Sequence, residues 1–146
     1  MKNRNLNNSD NWETPSEIYR ELNREFNFDF DPCPICFGEV TPEKDGLLID
    51  WGKSNFVNPP YSRKLKEKFI KKAVEWSKDN RCVSVCLIPV STSTSLFHDV
   101  ILPNATDIRF LRGRVKFKGY NTKGEYVENK CGMHDSMIVV FDYRVK

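Results

Sequence analysis

The chain has 146 residues, 39% hydrophobic and 29% charged, with 10 Phe, 5 Tyr and 3 Trp, so a single domain with a buried core is expected and disorder over its whole length is excluded. No apolar run approaches the roughly 20 residues of a membrane helix, and the polar start MKNRNLNNSD does not read as a secretory signal, so the 5 cysteines are expected as reduced thiols in a cytoplasm. The net charge of +3 permits an acidic partner such as nucleic acid without arguing for one.

Residues 1–11 are rich in asparagine and are expected to form a loose arm, which leaves residues 12–146 as the domain. Thr14-Pro15-Ser16-Glu17 reads as a capping box, with Thr14 at the N-cap, proline in the first helical position and Glu17 in the third. Ile18, Leu22 and Phe26 then recur at helical spacing and predict one buried stripe. Phe26, Phe28 and Phe30 alternate with Asn27 and Asp29, which predicts a short strand ending at Asp31-Pro32. Residues 32–46 read as loop. A second strand, Asn55 to Asn58, must stop at Pro59-Pro60.

Ser62 is placed to cap a helix over residues 63–77, with Leu65, Phe69, Ala73 and Trp76 on its apolar face. Arg63, Lys64, Lys66, Lys68, Lys71 and Lys72 occupy the rest, as a phosphate-facing surface or a solvated lysine face. Cys82 to Ile88 is nearly all apolar, the pattern of a strand covered on both sides. A serine- and threonine-rich loop, a short helix near 95–101 and strands near 107–111 and 114–118 follow. The polar stretch Gly119 to Asp135 leads to a last strand, Ser136 to Tyr143. Strands alternating with helices imply an α/β sheet, mostly parallel at first and closed by antiparallel strands.

Asn58-Pro59-Pro60-Tyr61 is the most informative run. With proline near 5% of residues, an Asn-Pro-Pro-aromatic run arises by chance in on the order of one chain in a thousand. It follows an apolar strand and precedes a helix, the place where open α/β sheets bind ligands. Two prolines stiffen the turn, so the Asn58 side-chain oxygen and the Pro59 carbonyl can serve as two aimed acceptors for an –NH2 group. Tyr61 offers a flat face for a planar ring. Asn58 is not a strong base, so its contribution would be orientation and electrostatics. This is what methyl transfer to an adenine amino group requires: bonds from both hydrogens to fixed oxygens localise the nitrogen lone pair. A proline-stiffened turn with a buried tyrosine is the plainer reading of the same four residues.

Further landmarks follow in a fixed order. They are Trp12-Glu13-Thr14-Pro15, Phe28-Asp29-Phe30-Asp31-Pro32-Cys33, Asp50-Trp51 before the Asn58 motif, and Leu87-Ile88-Pro89 before Ser91-Thr92-Ser93-Thr94. Arg109-Phe110-Leu111-Arg112-Gly113-Arg114-Val115-Lys116-Phe117 and the terminal Ser136-Met137-Ile138-Val139-Val140-Phe141 complete them. With these the chain resembles the phage-type DNA N6-adenine methyltransferase family over most of its length.

The resemblance implies transfer of a methyl group from S-adenosylmethionine to the N6 amino group of adenine in double-stranded DNA. It implies a single-domain, reduced Rossmann-like methyltransferase fold in the cytoplasm of a bacterial host of a phage or prophage. Asn58, Pro59, Pro60 and Tyr61 would hold the target base. Trp12, Thr14 and Pro15 would sit near the cofactor, Asp31 and Pro32 would end the first strand beside its methionine part, and Asp50 and Trp51 would flank its adenine or ribose. The chain departs from larger adenine methyltransferases in lacking a Gly-x-Gly loop after Asp31. It also has too few residues between Asp31 and Asn58 for the usual strand–helix unit.

Arg109, Arg112, Arg114, Lys116 and Lys118 are the expected DNA-backbone contacts, since Arg112 to Lys118 alternates cations with small or apolar residues. The opposing reading is a wet outer strand. Asn121, Lys123 and Asn129, in the polar stretch, are the expected readers of base edges. Cys33-Pro34-Ile35-Cys36 and Cys131-Gly132-Met133-His134 have the spacing of two halves of a zinc site. Small thiols filling loops are the preferred reading, so no metal is assigned. The alternatives to a DNA methyltransferase are a non-catalytic DNA-binding module, zinc-bound or not, and a methyltransferase acting on a glutamine amide in protein. The latter class shares Asn-Pro-Pro-Tyr but has a longer chain and a glycine-rich cofactor loop.

Overall fold

The computed structural model describes residues 4–5, 12–33, 39–40, 42–60, 62–120, 125–131 and 135–145. In chain order the strands are β1 (Arg4–Asn5), β2 (Trp12–Glu13), β3 (Glu39–Val40), β4 (Ser54–Val57), β5 (Val83–Pro89), β6 (Asp107–Phe110), β7 (Lys116–Tyr120), β8 (Tyr126–Cys131) and β9 (Ser136–Asp142). Helix α1 (Ser16–Phe26) precedes β3, and α2 (Arg63–Asn80) joins β4 to β5. A π-helical segment, Leu96–Ile101, runs into the single turn α3 (Leu102–Asn104).

The central sheet has the order β4-β5-β9-β6. It is mixed: β4 and β5 are parallel, while β9 is antiparallel to both β5 and β6. The expected sheet, parallel at first and closed by antiparallel pairing, is found, although only the β4–β5 pair is parallel. The chain reaches β9 through the β7–β8 hairpin, without a crossover helix, so β9 can only return against β5.

The near-continuous apolar strands behave as predicted. Val83, Val85 and Leu87 of β5, with Ile138 and Val140 of β9, pack toward Leu22 and Phe26 of α1. Cys86 and Ile88, with Met137, Val139 and Phe141, pack toward Phe69, Ile70 and Ala73 of α2 and toward Phe97 and Ile101. Period-two alternation thus feeds two cores at once, in a helix–sheet–helix sandwich. Helix α2 runs past the predicted residue 77 to Asn80. It closes with Arg81 in the left-handed region at φ 49°, whose amide donates to the Ser77 carbonyl.

Four other expectations are revised. The capping box is not formed: α1 starts at Ser16 with Pro15 at the N-cap and no side-chain cap. The strand expected over Phe26 to Phe30 shrinks to one bridge, Phe30 to Asn55 in parallel register. Asn27, at φ 52°, ends α1 in the left-handed region and turns the chain. Asp29 then spends both its side chain and its backbone on β4: its carboxylate accepts from the amides of Ser54 (3.0 Å) and Lys53 (3.3 Å), and its own amide donates to the Ser54 carbonyl at 2.9 Å. Third, the polar stretch Gly119 to Asp135 contains β8, antiparallel to β7, which in turn pairs with β2. Finally, part of the expected loose arm is ordered, since Arg4–Asn5 pairs with Glu39–Val40.

Gly52 makes the Asp29 contact possible. A Cβ there would lie 2.3 Å from Asp29 Oδ1 and 2.9 Å from Phe30 Cβ. Gly52→Ala is expected to push Asp29 off β4 and to lower unfolding free energy by about 1–3 kcal/mol, the range for overpacking. Urea titration measures it; an unchanged midpoint and slope would show that this contact carries no stability.

Candidate active site

Because β4 and β5 are parallel, their carboxyl ends share one edge of the sheet. β6 runs parallel to β5 through the intervening β9, so it ends at that edge too. There Asn58-Pro59-Pro60 leaves β4. All three residues are buried, and Asn58 is only 9% exposed.

Asn58 does not stand alone. Its Nδ2 donates to Thr14 Oγ1 at 3.0 Å. Thr14 is held by its neighbours on both sides. Trp12 and Glu13 pair with Gly119 and Lys118 of β7, and the carbonyl of buried Pro15 accepts from the Tyr19 amide at 3.2 Å. The hydroxyl expected to cap α1 is instead spent on the side chain at the end of β4.

Thr14 and Asn58 line a cavity of about 280 Å³ together with Glu13, Ser16, Tyr19, Asp31, Cys33 and Phe56. That is close to the lower end of the roughly 300–1,000 Å³ typical of small-molecule sites. Tyr19 and Phe56 meet edge to face at a centroid distance of 5.2 Å and form an apolar wall. Asp31 keeps a solvent-accessible surface at the mouth, and its Oδ1 accepts from the Cys33 amide at 2.8 Å. Desolvation by the surrounding protein nonetheless raises its pKa from 3.8 to about 6, against the lowering effect of that amide.

Two further cavities are present. One of about 400 Å³ lies between the first turn of α1 and residues 111–116, and Ser16 lines both it and the first. The other, of about 440 Å³, lies between Arg63 and Lys66 of α2 and the hydroxyl-rich loop Ser91 to Ser95. Burial lowers the pKa of Lys66 there. Asn58 lines the first cavity and Arg63 the third.

Of the residues singled out in the sequence, the fold brings Thr14, Asp31 and Asn58 to one cavity and Pro15 to its neighbour. Pro32 is buried, with its carbonyl oxygen against Gly46. Asp50 and Trp51 are not among the lining residues. Trp51 is a core residue at 6% exposure, its Nε1 donating to the Gly46 carbonyl at 2.7 Å and its ring beneath Lys72 Nζ at 5.5 Å. Lys72 also donates to the Ile49 carbonyl, so part of the basic face of α2 is structural.

Arg109 is engaged as well. Both of its terminal nitrogens donate to the Glu25 carboxylate, at 2.7 and 2.6 Å, and its Nε donates to Asp107 at 2.7 Å. The guanidinium holds the Glu25 carboxyl below its usual pKa. Arg112, Arg114 and Lys116 are exposed along the second cavity, with Val115 buried between the last two. The predicted alternation holds there, although Arg112 and Arg114 precede the strand. Arg114 lies 3.8 Å from Asp135 in an exposed pair.

Tyr61, Cys36, His134, Asn121 and Lys123 lie outside the described residues, as do the side chains of Trp12, Lys118, Asn129 and Cys131. The possible zinc site of Cys33, Cys36, Cys131 and His134 thus lies in large part outside the described residues. Cys33 is half-buried and lines the first cavity. Sequence reasoning missed Tyr19 and Phe56. The signal for Tyr19 was its place beside Ile18, on the flank of the apolar stripe.

A family model described as DNA N-6-adenine-methyltransferase (Dam) matches residues 2–144 of the chain. No curated protein and no solved structure matches it.

The Asp31 environment has a consequence for stability. Its raised pKa means that the folded state binds more protons than the unfolded state between about pH 4 and 6, so ionised Asp31 weakens the fold above that window. Asp31→Asn keeps an acceptor for the Cys33 amide and removes the charge. The variant is expected to melt at a higher temperature than the unmodified protein at pH 7.5, with the gap closing toward pH 4. Thermal melts across that range decide it, and equal melting temperatures at pH 7.5 would show that the carboxylate bears no desolvation cost.

Proposed function

The chain belongs to the DNA N-6-adenine-methyltransferase (Dam) family, and from that premise we propose that it transfers a methyl group from S-adenosylmethionine to the N6 amino group of adenine in double-stranded DNA. The observation that carries the proposal is the convergence of Asn58, Thr14 and Asp31 on one cavity at the carboxyl edge of the sheet.

The donor set of this cavity suits such a cofactor. An acidic carboxylate at the mouth, Asp31, matches an ammonium group, and the Tyr19–Phe56 wall offers apolar contact. When bound, the cofactor supplies an electrophilic methyl group on a positively charged sulfur. The chain's own residues do the rest. Asn58 Oδ1 and the Pro59 carbonyl accept from the two amino hydrogens of adenine, which draws the nitrogen lone pair out of conjugation. Pro59 and Pro60, both buried, hold these acceptors without reorganisation. As positive charge grows on the nitrogen, the contact with Asn58 strengthens, so it acts more in the transition state than in the bound complex, and one amino proton is then lost to water to leave the neutral methylated amine.

An adenine inside a duplex cannot reach this edge, so the base must be flipped out of the stack, and Tyr61 is assigned the face on which it rests. Arg112, Arg114 and Lys116, exposed beside the neighbouring cavity, are assigned the phosphates. Arg109 is already matched by Glu25 and Asp107 and is left out of that set.

Asn58→Ala is expected to lower the single-turnover methylation rate of an adenine-containing duplex by about 10²–10³, as loss of one aimed polar group does, while cofactor and DNA still bind. Asn58→Asp, which keeps an acceptor, is expected to retain substantial activity. A wild-type rate in Asn58→Ala would reduce the Asn-Pro-Pro run to a stiff turn. Titrating Asp31 supplies a second check: cofactor affinity should fall as pH drops through about 6, and calorimetry showing a flat profile from pH 5 to 8 would remove Asp31 from the cofactor site.

A further inference from the structure

We infer that the cavity between α2 and the loop after β5 binds a phosphate of the DNA strand that carries the target base, with Arg63 and Lys66 on one wall and Ser91, Ser93 and Ser95 on the other. The inference rests on the reading of DNA as the substrate.

The basic face of α2 divides by what each cation meets. Lys72 donates to the Ile49 carbonyl, and Lys64, Lys68 and Lys71 are exposed and line none of the three cavities. Lys66 is half-buried on the cavity wall, and among the described residues no carboxylate or carbonyl takes a hydrogen bond from its ammonium. Desolvation lowers its pKa, and the Glu67 charge only partly opposes that. Glu67 is the one carboxylate among the lining residues, and it meets Arg63 at 3.3 Å in an exposed pair of the kind that contributes little. A bound anion would complete what Lys66 lacks.

The opposite wall is a loop held in place. Thr94 spends its hydroxyl inside it, donating to the Ser91 carbonyl at 2.9 Å and accepting from the Phe97 amide at 3.2 Å. His98 Nε2 lies 2.7 Å from the Thr92 carbonyl, and the Val90 amide donates to the Asp135 carbonyl at 2.7 Å. Among the described residues, no hydrogen bond engages the hydroxyls of Ser91, Ser93 or Ser95. Three neutral donors facing two cations suit the oxygens of a phosphate. Buried Ile88, Leu96 and Met137 supply an apolar floor, which strengthens the attraction by keeping water away.

The position favours a strand of DNA over a free anion. Pro89 ends β5 at the edge where Asn58 leaves β4, and paired strands lie about 5 Å apart. A flipped base stays tied to its own phosphates, so a base held at β4 brings phosphates to this edge. Ile88 and Met137 belong to the core on the α2 face of the sheet, whereas Val115, between Arg114 and Lys116, belongs to the core on the α1 face. Cations therefore flank the candidate site from both faces.

Titration of an unmethylated duplex at several salt concentrations tests this. Lys66→Gln is expected to weaken binding about tenfold and to lower the slope of log affinity against log salt by about one. Lys66→Arg keeps the charge and stays within about threefold of wild type. Lys68→Gln removes the same charge from the same helix outside the cavity and stays within about twofold. Ser93→Ala combined with Ser95→Ala weakens binding about threefold to tenfold with the slope unchanged, since no charge is lost. Neutral methylphosphonate linkages, introduced one at a time, identify the phosphate: one position costs the wild type about tenfold and costs Lys66→Gln nothing further. Equal losses in Lys66→Gln and Lys68→Gln would overturn the inference, as would wild-type binding in the serine variant or full additivity at every linkage. Loss of inorganic phosphate binding by calorimetry in Lys66→Gln, with DNA affinity intact, would make this a site for a free anion and also overturn it. If adenine gains no methyl while these losses hold, methyl transfer falls and the phosphate site stands. If methyl is transferred and Lys66→Gln binds DNA as the wild type does, only the phosphate site falls.

Discussion

The candidate site depends on how a very short piece of chain is locked to β4. Asp29 and Phe30 both donate their amides to the Ser54 carbonyl, and the Phe30 carbonyl accepts from Phe56. The Asp29 carboxylate caps the two amides at the start of β4, and Gly52 leaves room for it. Buried Asn55 ties the same strand down, its Oδ1 accepting from the Gly52 amide and its Nδ2 donating to the Gly52 and Val83 carbonyls. The parallel Phe30–Asn55 register then carries Asp31 along beside the end of β4. A side chain does here what a full strand would otherwise do, and so a chain with little between Asp31 and Asn58 can still bring them together.

The parts of the fold that were legible in the sequence are those decided by burial. β5 and β9 have apolar residues on both faces because helices cover both faces, and Leu22 and Phe26 keep their helical stripe because α1 covers one. Two misreadings share a cause: polar side chains with two possible partners. Thr14 has the spacing of a cap and bonds Asn58 instead. Asp29, placed in the Phe26–Phe28–Phe30 alternation as a strand residue, instead turns its carboxylate onto the amides at the start of β4 while its own amide donates to Ser54. Residues 126–131, Tyr-Val-Glu-Asn-Lys-Cys, have too few apolar residues to announce a strand, yet β7 offers them a hairpin partner. Trp51 was legible as an aromatic beside an acid, but not as a core ring. It joins the core cluster that includes Phe69, Ile70 and Ala73 of α2, with the Gly46 carbonyl and Lys72 against it.

Charge divides the molecule in the same way. Arg109, held by Glu25, and Lys72, which donates to the Ile49 carbonyl, brace α1 and the loop before β4, and their role is structural. Arg112, Arg114 and Lys116 project from the edge at which Asn58 is presented. A net charge of +3 is therefore a poor guide to this protein's partners. What bears on an anionic partner is that exposed cations lie on the side of the candidate site, where salt-dependent attraction would act.

The central claim is chemical: the cavity formed by Thr14, Asp31 and Asn58 serves methyl transfer to the amino group of adenine in DNA. Its most direct test is incubation of the purified protein with unmethylated duplex DNA and S-adenosylmethionine carrying an isotopically labelled methyl group, followed by complete digestion and mass spectrometry of the nucleosides. The account predicts label on N6-methyladenine, appearing with the duplex and abolished when adenine is replaced by purine, which lacks the amino group. Label on cytosine or on protein, or none on the DNA while the cofactor binds, would contradict it.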